Sequence, residues 1–359
     1  MIFGAIVSRR KWAWVVALIF CGVIGSLAQQ NQMPVATDTD STSIDRDGTL
    51  HIVRVVPVPK TVTPEAQKFL AKPIPPSIPD TAVSQSRQAG HEFQRTFEEQ
   101  SRTIYPVKIE RKTIAGVPAK IISPVTAPEN KRGRALINLH GGGFVADWGS
   151  SAESVPIASL TQTTVIAVEY RLAPENPFPA AVDDVVAVYK EVLKTHEPKN
   201  IGLYGTSAGA MLSAEVIVRL KQLGLPLPAA VGFFSGTGDL SQPGDSESMF
   251  AVEGLQGKPL QLPDVLKLYV GTHDSRDPLL SPLYADLKGF PPTLCIAGTR
   301  DLLLSGTVIF HRALLHAGVE AQLVVFEAMP HAHWYEIQLP EGKEALQIMA
   351  DFFNTKLGG

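Results

Sequence analysis

Gly205-Thr206-Ser207-Ala208-Gly209 sets one serine hydroxyl between two glycines. The apolar run Ile201-Gly202-Leu203-Tyr204 precedes it, and a helix-like stretch over 210–223 follows. A serine at such a strand-to-helix junction reads as a nucleophile elbow. The turn is so tight that Cβ atoms two positions either side of the serine would collide, and glycine has none. Taken alone, the pattern also describes an ordinary glycine-rich loop. Context separates the two. His140-Gly141-Gly142-Gly143 ends the apolar strand pattern over 135–139. Bare glycine N–H groups there can point at a developing oxyanion. The glycine loop comes before the elbow, as acyl-transfer chemistry on an α/β sheet requires. A serine hydroxyl also needs a base, and the base an orienting carboxylate. Beyond the last long strand the only histidines are His331 and His333, in Met329-Pro330-His331-Ala332-His333-Trp334. Asp301 follows a predicted strand over 293–297 and is the predicted acid. Asp239, Asp274 and Asp277 compete without that position.

These groups need a scaffold, and the chain supplies alternating strand and helix patterns. A leading antiparallel pair is predicted at 107–109 and 119–122, then strands at 135–139, 165–168, 201–204, 231–234, 293–297 and 323–326. Apolar positions over 180–194 recur at helical spacing, and closing helices are predicted up to 317 and over 343–353. Gly224 is a natural C′ residue after the elbow helix. Repeated strand–helix units imply an α/β fold with a mainly parallel sheet covered on both faces. Ligands bind beyond the carboxyl ends of such strands, where the Gly141 loop and Ser207 fall. Upstream, helices are predicted at 64–71 and 81–99, with Phe93 and Phe97 on one face. They either pack on the domain or cap the site.

The chain has 359 residues, 45% hydrophobic and 19% charged, which suits a globular core rather than a disordered chain. A net charge of −3 with no basic stripe points away from nucleic acid. Arg9-Arg10-Lys11, an apolar run from 12 to 27 and Ser26-Leu27-Ala28 have the layout of a secretory signal over 1–28. Its removal shifts the net charge from −3 to −6, since three basic residues and no acid leave with it. The expected destination is the periplasm or the medium. Retention of the segment would instead anchor the chain in a membrane, and Ser8-Arg9-Arg10 hints at twin-arginine export. Residues 29–60 read as a linker and 61–359 as one domain, with 61–103 as its helical cap and 104–359 as its core. Cys21 would leave with the signal. Cys295, inside an apolar run, reads as a buried structural thiol, and no disulfide can form within one mature chain.

The chain resembles the hormone-sensitive-lipase-like family of serine esterases, the bacterial family IV carboxylesterases of the α/β-hydrolase fold. The resemblance runs from about residue 63 to the C-terminus. It rests on His140-Gly141-Gly142-Gly143-Phe144, Tyr170-Arg171-Leu172-Ala173-Pro174-Glu175, Pro177-Phe178-Pro179-Ala180-Ala181 and Asp183-Asp184. Gly205-Thr206-Ser207-Ala208-Gly209, Asp277-Pro278-Leu279-Leu280-Ser281-Pro282, Gly298 to Asp301 and Met329-Pro330-His331 complete it. Thr206 stands where aspartate is commoner and marks the threonine branch. The resemblance implies Ser207 as nucleophile, Asp301 as acid and His331 as base, with His333 the alternative base. It implies an oxyanion hole from the N–H groups of Gly141, Gly142 and Ala208. Phe144 and Trp148 are candidate acyl-pocket walls, with core packing as the other reading. His140 and the Arg171–Asp184 pair read as loop supports. No cofactor is implied, and His331-x-His333 lacks a further ligand for a metal. The expected substrate is a small ester of short acyl chain, with a lactone as the alternative. A non-catalytic ligand-binding protein of the same fold is the reading from another class, and a homodimer is expected from the family.

Overall fold

The structure is a computed structural model that describes residues 40–72, 83–250 and 264–358. The segment read as a signal, Cys21, the start of the linker and the proline-rich stretch after residue 72 lie outside the described residues. The chain divides into two units at Val55/Val56. In the first, β1 (Ser41–Ile44) pairs antiparallel with β2 (Leu50–Val53). The stretch predicted as linker therefore contains a hairpin. Four-residue strands are too short for alternation to register in the sequence.

The second unit opens with α1 (Pro64–Leu70) and α2 (Val83–Ser101). Thr63 caps α1: its Oγ1 accepts from the Ala66 N–H at 3.2 Å, and Pro64 occupies the first turn. The strands and helices that follow are β3 (Val107–Ile114), β4 (Val117–Pro124), β5 (Ala135–Leu139), α3 (Ser150–Thr161), β6 (Thr164–Val168), α4 (Ala180–Val192), β7 (Ile201–Thr206) and α5 (Ala208–Gln222). The chain continues through β8 (Ala230–Phe234), α6 (Asp245–Phe250), α7 (Asp264–Val270), β9 (Thr293–Arg300), α8 (Leu304–His316), β10 (Ala321–Pro330) and α9 (Pro340–Lys356). Gly224 follows α5 with φ +63°, the C′ conformation its position predicts.

Eight strands form one sheet in the order β10-β9-β8-β7-β5-β6-β4-β3. The six strands from β10 to β6 run parallel, and β4 and β3 are antiparallel to their neighbours. Every residue of β5 is buried, as expected of a strand covered on both faces. Ala135, Ile137 and Leu139 join a core shared with α4, α5 and α8, whereas Leu136 joins one shared with α2, α3 and α9. The two helices that follow the adjacent strands β5 and β7 thus lie on opposite faces. The order reverses there, and this opens a crevice at the strands' carboxyl ends.

Three elements differ from expectation for a clear reason. Ten of the twelve residues of α3 are buried, so the helix has no polar face and no 3.6-residue signal to read. Helices α6 and α7 are six and seven residues long, too short to show periodicity. No helix among the described residues is long and apolar enough to cross a membrane. Cys295 is fully buried and burial pushes its thiol pKa up, the chemistry of an inert core residue.

Candidate active site

The elbow sits at the crevice. Ser207 has φ +58° and ψ −122°, a conformation that costs a non-glycine residue of order 1–3 kcal/mol. Both of its flanks hold it there. Its N–H donates to the Phe234 carbonyl at 2.9 Å, and its own carbonyl accepts from the Ala210 N–H at 3.0 Å as α5 begins. A Cβ at Gly209 would overlap the Leu139 carbonyl, so only glycine lets the elbow close onto the end of β5. Thr206 and Ala208 are buried, while Ser207 is half-buried with a path to solvent.

The glycine loop lies directly against this turn. A Cβ on Gly141 would stand 2.9 Å from the Thr206 carbonyl and 3.3 Å from the Ser207 Cβ. Gly141 is buried beneath the loop, whereas Gly142, at φ +118°, and Gly143 are partly exposed. Ala208 occupies the first turn of α5, where backbone N–H groups lack intrahelical partners. His140 supports the loop. Its ring is buried, stacks on Tyr170 at 4.1 Å, and its Nδ1 lies 2.9 Å from the Gly141 carbonyl. Arg171 and Asp184 lock the next loop through backbone and guanidinium hydrogen bonds of 2.8 and 2.9 Å.

Of the two late histidines, it is His331 whose Nδ1 lies 2.9 Å from Asp301 Oδ1. Asp301 is wholly buried, and its carboxylate also accepts from the Ser235 hydroxyl and the Leu303 N–H. Burial works against that charge. The His331 charge and the hydrogen bonds from His331, Ser235 and Leu303 outweigh it and hold the Asp301 pKa below the ordinary carboxylate value. The competing aspartates close local turns instead. Asp239, Asp274 and Asp277 accept the backbone N–H two residues on, at 2.7, 2.9 and 2.8 Å. Ser235 is a site residue that sequence reading missed. The available signal was its place immediately after β8, at a strand's carboxyl end. It also links the parts: it follows Phe234, which holds the Ser207 N–H, and it donates to Asp301.

Phe144 and Trp148 divide. Phe144 is 1% exposed and stacks on Tyr269 with ring centroids 3.5 Å apart. Its contacts are those of a core side chain, which corrects the pocket-wall reading. Trp148 is half-buried beside the glycine loop, 5.8 Å from the Phe93 ring, and Phe93 in turn packs 6.0 Å from Tyr335. The aromatic face of α2 therefore borders the loop. Polar contacts fasten that helix down. Arg87 donates to the Val145 and Ala173 carbonyls at 2.8 and 2.9 Å, Gln94 to Asp147 at 2.9 Å, and buried Lys120 meets Glu98 at 3.2 Å. No cluster of three or more His, Cys, Asp or Glu able to hold a metal ion occurs among the described residues.

His333 lies instead in an apolar nest, 4.8 Å from the Phe326 ring and 5.1 Å from Trp334. Neither ring nitrogen has a hydrogen-bond partner, and burial pushes its pKa down to about 4. The unfolded chain, with His near 6.5, binds the extra proton first. The part of stability linked to His333 is therefore whole above pH 6.5 and is lost as pH drops toward 4, by about 3 kcal/mol in all. We expect His333→Leu to remove most of that slope. Urea midpoints of both proteins at pH 7.5 and 4.5 check it, and parallel slopes would refute it.

Residues 136–335 match the family model of the α/β-hydrolase fold. An acetyl-hydrolase of Streptomyces hygroscopicus is 34% identical over 235 residues, covering 64% of this chain and 79% of that protein. An esterase of Acinetobacter venetianus is 32% identical over 234 residues, 60% of this chain and 73% of its own. Among solved structures, esterase E25 superposes with a TM-score of 0.75 at 32% identity, covering 85% of this chain and 98% of that one. An esterase from the bacterial hormone-sensitive lipase family gives 0.70 at 31%, covering 82% and 99%. The chain belongs to the α/β-hydrolase fold family. Within it, the chain stands on the hormone-sensitive-lipase-like branch.

Proposed function

We propose that this protein is a serine carboxylesterase that hydrolyses small esters of short acyl chain. Ser207 Oγ attacks the ester carbonyl while His331 takes its proton. Asp301 accepts from His331 Nδ1–H, which makes the other ring nitrogen the base and stabilises the imidazolium that forms. The carbonyl oxygen becomes an oxyanion held by N–H groups of the Gly141–Gly142 loop and of Ala208. Collapse of the intermediate returns the proton to the leaving alcohol. A water that gives its proton to His331 then attacks the acyl-enzyme, and the carboxylic acid leaves as Ser207 recovers its hydrogen.

One observation carries this reading: a buried Asp301 paired to His331 at 2.9 Å and tied through Ser235 to the strained Ser207 turn. The relatives named esterase and acetyl-hydrolase support the same reaction class. The relative named acetyl-hydrolase supports a short acyl group, and Phe93, Trp148 and Tyr335 beside the glycine loop offer it apolar rings.

The test is a series of p-nitrophenyl esters from acetyl to palmitoyl. We expect kcat/KM to be highest for acetyl to butyryl and to fall at least about tenfold by decanoyl. A profile that rises with chain length defeats the short-acyl part. Silence on every ester and on simple lactones, with binding retained, defeats the hydrolase reading in favour of a ligand-binding protein.

A further inference from the structure

Glu153 is 2% exposed, lies on α3, and takes no part in the chemistry just described. Its Oε1 accepts the Tyr335 hydroxyl at 2.6 Å and its Oε2 accepts from Asn138 Nδ2 at 2.8 Å. The buried Thr206 hydroxyl lies close enough to lower the carboxyl's pKa but makes no hydrogen bond to it. Each of these three residues is a near neighbour in sequence of one working part. Thr206 precedes Ser207. Asn138 stands two residues before His140, on the strand that feeds the glycine loop. Tyr335 follows His331 by four residues. The loop itself also closes on this point: a Cβ at Gly149 would meet Glu153 Oε1, with Tyr335 Oη at 2.6 Å and the Gly141 nitrogen at 3.1 Å.

We propose that Glu153 is a positioning residue for the esterase reaction, one buried carboxyl that holds the oxyanion loop and the histidine loop in mutual register beside the elbow. The inference rests on the hydrolase reading. An unpaired buried carboxyl is costly, so this one persists only where its partners satisfy it. It acts as the neutral acid. Burial pushes its pKa up to about 8 against hydrogen bonds from Tyr335 and Asn138 and the nearby Thr206 hydroxyl, and the Asp147 charge pushes the same way as burial. The phenols of Tyr335, Tyr204 and Tyr170 face it as well, and each is pushed up by burial and so is uncharged at neutral pH. A neutral acid has a proton to donate. Asn138 Oδ1 lacks a hydrogen-bond partner, and turning that amide over would present Oδ1 to a protonated Oε2. Glutamine reproduces this pattern of one donor and one acceptor, whereas alanine loses all of it.

The experiment measures kcat, KM and thermal midpoint on p-nitrophenyl butyrate for the full chain and for Glu153→Ala, Glu153→Gln and Tyr335→Phe. Misplacing reacting groups by about an ångström costs up to about 100-fold. We therefore expect Glu153→Ala to lose about 10- to 100-fold in kcat with KM within about threefold. Tyr335→Phe should lose about five- to tenfold, and Glu153→Gln should stay within about threefold of wild type. Full kcat in Glu153→Ala, a loss confined to KM, or a Glu153→Gln as impaired as the alanine variant overturns the proposal. If Glu153→Ala does not fold, the other two decide, and full kcat in Tyr335→Phe overturns it. An active wild type with unaffected variants defeats this inference alone, whereas a silent wild type defeats the hydrolase reading and this inference with it.

Discussion

Ser207→Ala should lower kcat on short esters by about 10⁴-fold or more while KM moves little. The covalent step disappears with the hydroxyl, and what remains is binding and the oxyanion site acting on water. The fold should not notice. Alanine keeps the Cβ and therefore the strain at φ +58°, so the thermal midpoint should stay within about 1 °C. Ser207→Gly is the informative companion. It is equally inactive, but glycine adopts positive φ without penalty. Relief of about 1 kcal/mol should raise the midpoint by about 2 °C. Kinetics and differential scanning calorimetry on the three proteins make the check. Retained turnover in either variant would remove Ser207 from the mechanism. A midpoint that falls in the glycine variant would show that the turn is not the strained element it is taken to be.

Asp301→Ala carries the second largest expected effect, about 10³- to 10⁴-fold in kcat. Asp301 does two things at once: it orients His331 through Nδ1, and it supplies a buried negative charge to the imidazolium. Asp301→Asn separates them. Its amide oxygen can take the place of Oδ1 and keep the His331 and Leu303 hydrogen bonds. Its NH₂ then faces the Ser235 hydroxyl, which can rotate and accept. Orientation survives and charge does not, so we expect a loss of about 10²-fold, between wild type and alanine. The measurement is kcat for both variants, then for each with Ser235→Ala added. If asparagine is as damaging as alanine, and Ser235→Ala adds nothing, the hydroxyl is not the adaptable partner assumed here.

Which features could be read before folding follows from their physics. The end of β5, the elbow and the Gly224 stop show in the sequence because each is local. A run of apolar residues, two glycines around a serine and one glycine before a proline are enough. Helix α3 is silent for the opposite reason: buried almost all round, it carries Pro156 and has no amphipathic period. Residues 41–53 read as polar linker although they form a hairpin, since four-residue strands leave too short a pattern. Phe144 was ambiguous because a loop aromatic can face a ligand or a core, and only Tyr269, 125 positions away, decides which.

The sequence by itself determined the order of the elements, the kind of chemistry the glycine loop, Ser207 and a late histidine could do, and the membership that their motifs imply. Backbone geometry and residue type suffice for those, and both are written locally. Only the tertiary structure decided which histidine meets Asp301, that Ser235 completes its carboxylate, and that Glu153 collects the neighbours of three separate loops. The Ser235–Asp301 contact spans 66 residues and the Tyr335–Glu153 contact 182. Contacts of that range depend on strand register and on which face each helix covers. Neither leaves a periodic mark on the residues that finally touch.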